Sequence, residues 1–466
     1  MTSLNSLPFD VSEHILCSID THRDLISLAT TSSHWKERVV PSHSDYRVLR
    51  MSNRHPEVWR HLAQRPDLAR TIREVTLRES DVSSLLSGQL KPERYPVVPR
   101  DVQPQAVVED ICVALRNMSQ LLSLTWVGPW DPHGLYYDVV DYPHNVFDVL
   151  RHSNTLLHLE ILDTRLLPIA GSQDGPPEAS DDYPLWRIGD LQTISFRQLP
   201  SSQSREATQG FFGRSLNLSN LLLHHPIDPS IYETLHFPNL LCVELSTRGA
   251  FGNFGERGAL QFLEKHVTVE ELTWYPVNTM LTLRPGSLPA LRKLITSDKF
   301  AWSVVTDFSV ARPLECISQL SLNEATLAVL ATIDGSRLRD LRIWKYSGLR
   351  NIHQLAELFP NLEVLEAPTL GISTREDADM GYTADDYIDA LSRFGSLQTL
   401  AESSIWSLIR NEGKLGSLAT RCNKLERLGH YDLVKRLPLE IVIMRGEDGS
   451  VDWREDICYL PEWSLV

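Results

Sequence analysis

The sequence lacks any apolar run of the length that a membrane span requires. A spanning helix needs about 18 or more consecutive apolar residues, and no stretch of the 466 residues contains them. The first ten residues, MTSLNSLPFD, have no positively charged start followed by an apolar core, so they do not fit a secretory signal. We therefore expect a cytoplasmic and/or nuclear protein that does not associate with membranes.

Closely spaced cysteines and an excess of basic charge are also lacking. The six cysteines are scattered and form no Cys-x-x-Cys pair, the spacing typical of zinc fingers and RING modules. Free thiols in a reducing compartment are the simplest interpretation. The 45 Lys and Arg residues oppose 60 Asp and Glu residues, which gives a formal net charge of -15. This balance argues against nucleic-acid binding, because phosphates are bound by basic surfaces.

No catalytic motif is recognisable. Gly252, Gly255 and Gly258 lie three residues apart in the stretch GAFGNFGERG, which matches neither the dinucleotide nor the Walker pattern. The simplest interpretation is a flexible loop between repeats, and the alternative is an enzyme that uses this loop to bind a nucleotide. We expect no enzymatic activity, no catalytic residue, no metal and no cofactor.

What the sequence does contain at its start is the pattern of three short helices. Asp10 and Glu13 have the spacing of a capping box, Thr21 and Asp24 repeat it, and Ser33 is a candidate cap for the third helix. Apolar residues recur at helical spacing after each cap. Helices this short bury little surface, so they need support from a partner or from the rest of the chain.

The stretch LPFDVSEHILCSIDTHRDLISLATTSSHWKERV resembles an F-box. The matching residues are Leu7, Pro8, Glu13, Ile15, Leu16, Ile19, Leu25, Leu28, Ala29 and Trp35. The resemblance implies a three-helix F-box within residues 1–50 that docks on the Skp-family adaptor of cullin-RING (SCF-type) ubiquitin ligases. The residues that it assigns to the small core and the adaptor face are Leu7, Pro8, Ile15, Leu16, Leu25, Leu28 and Trp35. The alternative is a three-helix cap on the array that follows.

Residues 51–466 repeat an apolar signature, Φ-x-x-Φ-x-Φ, in which Φ is an apolar residue. Clear copies begin at Leu121, Leu156, Leu191, Leu218, Leu240, Val269, Ile317 and Leu338, and weaker ones at Ile72, Leu291, Leu362, Leu397 and Leu425. The period of about 29 residues lies at the upper end for leucine-rich repeats. The Φ-x-Φ alternation predicts a strand with one buried face, and helical patterns such as NVFDVLRH and NIHQLAELF precede several copies.

This repetition predicts an α/β solenoid with a concave parallel sheet, and it resembles a divergent form of the leucine-rich-repeat half of F-box proteins. The Asn or Cys that normally follows each strand is missing. Three stretches are interpreted as insertions, near 86–105, 167–184 and 373–387, and the acidic third one is expected to lead into a helix. The alternative is an ordinary α/β domain with Leu-rich strands.

Together, the two resemblances imply a substrate-receptor subunit of a cullin-RING ligase, with a Skp-family adaptor, a cullin scaffold and an unidentified protein substrate as partners. A leucine-rich-repeat scaffold that acts outside any ligase remains the alternative. Residues beside the last Φ point away from the buried face. The predicted substrate-binding residues are His224, Glu244, Glu271, Tyr275, Arg342, Trp344 and Tyr431. Trp, Tyr and Arg are enriched at binding hot spots, although an insertion or the carboxy-terminal tail could instead bury Trp344 and Tyr431.

Overall fold

A computed structural model describes most of the chain in sixteen segments. They are residues 7–19, 22–40, 47–52, 55–78, 104–127, 142–162, 183–196, 205–224, 229–245, 254–278, 280–346, 348–366, 382–401, 408–432, 437–446 and 450–457. The chain divides into two compact units, each described here by itself. The first unit is Met1–Leu240 with Arg248–Phe251, and the second is Leu241–Thr247 with Gly252–Val466.

The first unit begins with three short helices and continues with alternating strands and helices. Its helices are α1 (Phe9–Ser18), α2 (His22–Thr31), α3 (Ser33–Val39), α4 (Pro56–Gln64), α5 (Pro66–Ala69), α6 (Pro104–Asn117), α7 (Tyr142–Leu150), α8 (Arg205–Gly213) and α9 (Pro229–Thr234), with a 3-10 helix at Pro184–Arg187. Its strands are β1 (Val48–Ser52), β2 (Glu74–Arg78), β3 (Ser123–Val127), β4 (His158–Ile161), β5 (Thr193–Phe196) and β6 (Asn220–Leu223). The six strands lie in chain order, and each is parallel to the next.

The second unit continues the alternation and ends in antiparallel strands. Its helices are α10 (Phe254–Lys265), α11 (Asp298–Val305), α12 (Glu324–Leu330), α13 (Leu349–Leu358), α14 (Ala384–Leu391) and α15 (Leu415–Arg421). Its strands are β7 (Cys242–Leu245), β8 (Glu271–Trp274), β9 (Lys293–Thr296), β10 (Cys316–Leu322), β11 (Asp340–Tyr346), β12 (Val364–Glu366), β13 (Thr399–Ala401), β14 (Arg427–Asp432), β15 (Leu437–Arg445) and β16 (Val451–Ile457). Strands β7 to β14 are parallel in chain order, and β15 and β16 are antiparallel to their neighbours.

In each unit, the apolar residues of the signature lie on the buried face of the strands and pack against helices. In the first unit, Trp126 of β3 lies 5.5 Å from Phe147 of α7 between ring centroids. In the second, Trp274 of β8 lies 4.9 Å from Phe300 of α11. All four side chains are buried. A mostly parallel sheet flanked by helices is compatible with the predicted α/β solenoid.

One main-chain contact recurs in nearly every repeat. The carbonyl of the residue directly before a strand accepts two consecutive N–H groups from the next repeat, as the Leu122 carbonyl does from Leu157 and His158 at 2.8 and 2.9 Å. The accepting residues are Arg47, Arg73, Leu122, Leu157 and Gln192 in the first unit and Leu241, Glu270, Arg292, Glu315, Arg339, Glu363 and Gln398 in the second. Because the contact uses main-chain atoms alone, it does not depend on side-chain type.

The structure corrects the repeat pattern at three places. The copy assigned to Ile317 begins three residues earlier, at Leu314, because Ile317 pairs with the central apolar residues Leu294 and Leu341. A register shift follows in β10, where Gln319 has a φ of 71°. Strand β1 carries no recognised signature, and the antiparallel strands β15 and β16 do not fit the uniformly parallel sheet that was expected.

The predicted insertions lie mainly outside the described residues. The parts that are described form the start of α6, the 3-10 helix at Pro184–Arg187 and the start of α14. The expectation that the acidic stretch leads into a helix is confirmed. Thr383 and Asp386 form a reciprocal capping box, and Asp385 also lies in the first turn. These carboxylates stabilise the positive end of the helix dipole.

Candidate interaction surfaces

Helices α1, α2 and α3 pack around one small apolar core. Its buried members are Leu16, Leu25, Ala29, Trp35 and Val39, and the half-buried Ile19 and Leu28 pack against them. Residues from all three helices meet in this cluster, so each helix depends on the other two for burial. A core of this size gives little stability on its own.

The seven predicted adaptor residues divide between core and surface. Leu16, Leu25 and Trp35 are buried, Leu7, Ile15 and Leu28 are half-buried, and Pro8 is exposed. Three further apolar side chains in these helices remain open to solvent, namely Val11, Ile26 and Val40, which are 40–42% exposed. The sequence pattern did not single out these three residues. On a short helix, exposed apolar residues can be told from core residues only once the packing of the helices is known.

The helix caps differ from those expected. Helix α1 begins at Phe9, directly after Pro8, and no side chain caps it, so the predicted capping role of Asp10 is wrong. The φ of proline suits the start of a helix. Helix α3 is capped by Ser32, whose hydroxyl accepts the N–H of Trp35 at 3.3 Å, and not by Ser33.

Two buried arginines join α1 to the first repeats. Nη2 of Arg47, which precedes β1, donates to the Leu16 carbonyl at 3.0 Å. Nη1 of Arg73, which precedes β2, donates to the Ile19 carbonyl at 3.4 Å. Both acceptors lie at the carboxyl end of α1, where main-chain carbonyls lack helical partners and attract cations. The helical module is therefore held against the array by polar contacts.

On the outward face of the first unit, opposite the helices, polar side chains connect neighbouring strands. Glu160 of β4 accepts hydrogen bonds from the hydroxyls of Thr125 on β3 and Ser195 on β5, at 3.2 and 3.3 Å. One row away, Nδ1 of His158 lies 2.9 Å from the Thr193 hydroxyl. Burial lowers the pKa of His158, against the opposing effect of Glu74, which favours a neutral imidazole.

On the outward face of the second unit, the connections are ionic. Nζ of Lys293 on β9 lies 3.0 Å from a carboxylate oxygen of Glu271 on β8. Arg342 on β11 contacts two carboxylates, Asp340 at 3.1 Å and Glu366 on β12 at 3.2 Å. Burial raises the pKa of Glu366, and the charge of Asp340 adds to this while Arg342 opposes it. Arg342 therefore keeps two half-buried carboxylates close together.

The predicted substrate-binding residues lie on or beside these strands, but they do not form one cluster. Glu271 and Arg342 are separated by two intervening strands, a distance of about 14 Å at the usual strand spacing. Glu244 on β7 is half-buried opposite Thr273, and Tyr275, just after β8, is 37% exposed. His224 follows β6 in the first unit, where its N–H donates to the Phe196 carbonyl at 2.8 Å.

Trp344 and Tyr431 lie in β11 and β14, and their side chains are outside what the structure describes. The sequence reasoning missed Lys293, Asp340 and Glu366, which complete the ionic contacts. The alternation of buried and unburied residues along each strand could have identified these three residues, since each lies at an unburied position. The pairing across strands could not be found in this way.

The cysteine side chains that the structure describes are buried or half-buried. Cys112, Cys242, Cys316 and Cys422 are free thiols. Burial raises the pKa of each, to about 12 for Cys316, so they stay protonated and weakly nucleophilic. Within the described segments, no group of three or more His, Cys, Asp or Glu could hold a metal ion.

The glycine-rich stretch was predicted to be a flexible loop, but part of it is helical. Gly255 and Gly258 lie inside α10, which begins at Phe254. Glu256, in the first turn of this helix, is buried and accepts the N–H groups of Val277 and Asn278. The start of α10 is therefore occupied by contacts of the chain itself.

None of the helices among the described residues has the length and apolar character needed to cross a membrane. A scan against family models finds no match, and a search among curated proteins finds no matching relative.

Proposed function

We propose that this protein is a substrate-receptor subunit of a cullin-RING ubiquitin ligase. Helices α1 to α3 dock on a Skp-family adaptor as an F-box, and the outward faces of the leucine-rich repeats bind a protein substrate. The observation that carries the proposal is the separate three-helix core at the position of the F-box resemblance, with Pro8, Val11, Ile26 and Val40 left at its surface. A cytoplasmic or nuclear location is part of the proposal.

The chain contributes proximity in this function and no catalytic group. A substrate held on the array has a high effective concentration near the ubiquitin-charged enzyme that the ligase recruits, which accelerates transfer to its lysines. The contacts of Arg47 and Arg73 with α1 support this role. A module held against the array keeps adaptor and substrate at a constant spacing.

Adaptor docking is tested with the double variant Leu7→Ala, Pro8→Ala of the full chain, titrated with a purified Skp-family adaptor. We expect at least about tenfold weaker binding, since apolar burial of one large side chain contributes about 1.5–3 kcal/mol. Leu216→Ala is the matched control, because Leu216 is 61% exposed but lies outside the module. Unchanged adaptor affinity in the folded double variant would refute the docking role.

A second candidate function is a repeat scaffold that acts outside any ligase, with α1 to α3 as its cap. The same two arginine contacts favour this alternative, because they join α1 to the first repeats as a cap would be joined. Isolation of the full chain from cells separates the two functions. Recovery of adaptor and cullin together supports the receptor, and recovery of binding proteins without cullin supports the scaffold.

A further inference from the structure

A cleft of about 540 Å³ in the first unit is lined by three arginines. Arg151 follows α7, Arg187 ends the 3-10 helix, and Arg214 follows α8, so they lie at corresponding positions of three successive helical segments. Stacked repeats bring such positions together. Arginine at a helix end also stabilises the main-chain carbonyls there, so convergence alone does not define a binding site.

The guanidinium of Arg151 is only partly paired with the chain itself. Its Nη2 pairs with a carboxylate oxygen of Asp148 at 2.7 Å. Its Nε is buried and has no hydrogen-bond partner among the described residues. A buried guanidinium N–H without an acceptor is unfavourable. The side chain as a whole is 28% exposed and lines the cleft, where an oxyanion can contact its outer nitrogens.

The main chain beside the cleft is shaped around Arg214. A Cβ at Gly189 would lie 2.9 Å from Cβ of Arg214, so only glycine permits this close approach. Next to it, Asp190 has a φ of 58°, an unfavourable conformation for most residues, and its N–H donates to the Arg214 carbonyl at 3.1 Å. Nη1 of Arg214 donates to the Trp186 carbonyl at 2.8 Å, which orients the guanidinium.

We propose that this cleft binds a phosphate monoester. Three arginines and Asp190 line it, and Asp148 pairs with Arg151, which leaves a local charge of about +1 in a chain whose formal net charge is -15. A phosphate monoester carries about -1.5 to -2 at neutral pH and three acceptor oxygens, so it can pair with more of these guanidinium groups than a single carboxylate can. Guanidinium groups bind phosphate oxygens through paired hydrogen bonds.

The cleft is larger than a phosphate group, and Leu156 and Leu157 form an apolar part of its lining. The phosphate therefore belongs to a larger molecule, either a phosphorylated protein side chain or a small ester such as a nucleoside monophosphate. The proposal goes beyond substrate reception and does not depend on it, because no residue of α1 to α3 or of the outward strand face contributes to the cleft.

The test titrates the full chain by calorimetry with a phosphoserine peptide, its unphosphorylated counterpart, AMP and inorganic phosphate. Arg151→Gln and Arg187→Gln should each weaken binding of the phosphate compound by about tenfold or more, because each removes charge-assisted hydrogen bonds. Arg337→Gln is the control, since its exposed side chain lies in the second unit and pairs with the exposed Asp334. Circular dichroism verifies that every variant is folded.

A second variant and a pH series make the result decisive. Gly189→Ala should displace Arg214 and weaken binding without removing a charge. Binding should strengthen from about pH 5.5 to 7.5, as the phosphate loses its second proton near pH 6. Preference for the phosphopeptide identifies a protein ligand, and preference for AMP identifies a small ester. Preference for inorganic phosphate over both would overturn the assignment to a monoester. Absence of binding, equal binding of the unphosphorylated peptide, or equal weakening by Arg337→Gln would overturn the proposal.

Discussion

The outward strand faces of the two units are built on one backbone plan but with different chemistry. In the first unit, hydroxyl groups of Thr125 and Ser195 surround Glu160. In the second, Arg342 joins Asp340 and Glu366, and Lys293 pairs with Glu271. Hydroxyl networks depend on geometry and little on salt, whereas ion pairs near the surface weaken as salt is added. The two faces should therefore select ligands by different criteria, the first by shape and the second by charge.

The largest loss of stability is expected at a buried ion pair of the second unit. The side chain of Arg312 is 3% exposed and pairs with Asp307 at 2.7 Å, and it also donates to the carbonyls of Ser287 and Val304. Arg312→Met should reduce the free energy of unfolding by about 3–5 kcal/mol, because it leaves buried acceptors and a charge unpaired. Chemical denaturation measures this loss, with Arg337→Met as an exposed control at about 0–1 kcal/mol.

The pair of Arg312 and Asp307 should also make the stability of the fold depend on pH in the acid range. Burial acts to raise the pKa of Asp307, but hydrogen bonds from Ser309 and Arg312 outweigh it and hold the pKa well below its usual range. The stability that the pair contributes is thus present above about pH 4 and is lost as the pH falls below that value. In Arg312→Met this loss should be smaller. If the free energy of unfolding fell equally with pH in the variant and the parent, Arg312 would not be what lowers the pKa of Asp307.

A smaller effect is expected on the ionic face itself. Arg342→Met should reduce the free energy of unfolding by about 1–3 kcal/mol, since it leaves Asp340 and Glu366 without their shared cation. The pKa of Glu366, already raised by burial, should rise further. A raised carboxyl pKa means that the folded state binds the proton more tightly, so the variant should regain stability as the pH is lowered from 7 toward about 5. A carboxylate titration by NMR that finds the pKa of Glu366 unchanged would count against the coupling.

On the face of the first unit, the loss should be smaller still and independent of salt. Ser195→Ala removes one hydroxyl from Glu160 and should cost about 0.5–1.5 kcal/mol. Ser119→Ala, at an exposed position in the same unit, serves as the control with a cost near zero. Denaturation at low and high salt should give the same difference between Ser195→Ala and the parent. A difference that shrinks with salt would mean that this face is ionic after all.

The smallest effect concerns exposed charges at the start of the second unit's strands. Arg292 lies between Glu270 at 3.4 Å and Glu315 at 2.7 Å, and all three are about half exposed. Arg292→Gln should cost less than about 1 kcal/mol at low salt, and the cost should fall further at about 0.5 M salt, where the screening length is only a few ångströms. Paired denaturation curves at the two salt concentrations measure the change.

The sequence predicts the strands well because their burial pattern is local. Leu124, Leu159 and Leu272 are central apolar residues of predicted copies, and each lies fully buried in a strand. The copy near Ile317 was misplaced because Leu314 and Ile317 are both apolar and three residues apart, so two registers satisfy the pattern. The bulge at Gln319 then depends on pairing with β11, which no local pattern contains.

The surfaces were harder to predict than the strands. Alternation placed Arg342 on an unburied position, but its contact with Glu366 depends on which residue the next strand brings opposite. The cleft among Arg151, Arg187 and Arg214 was missed for the same reason, since these residues are 27 or more positions apart and no motif links them. The predicted cap of α1 was wrong because the helix begins at Phe9, directly after Pro8, without any side-chain cap, so Asp10 lies inside the helix and not before it.

The recurring main-chain contact has an evolutionary consequence. An array whose repeats are aligned by carbonyl and N–H groups imposes no particular side chain at the aligning position, which is arginine, leucine, glutamine or glutamate in different repeats. Mutation can therefore change the surface of one repeat while its neighbours keep their alignment. Gain or loss of a whole repeat leaves the same donors and acceptors at the new junction. Such an array can acquire new ligands by drift and duplication faster than a domain whose core contacts are all distinct.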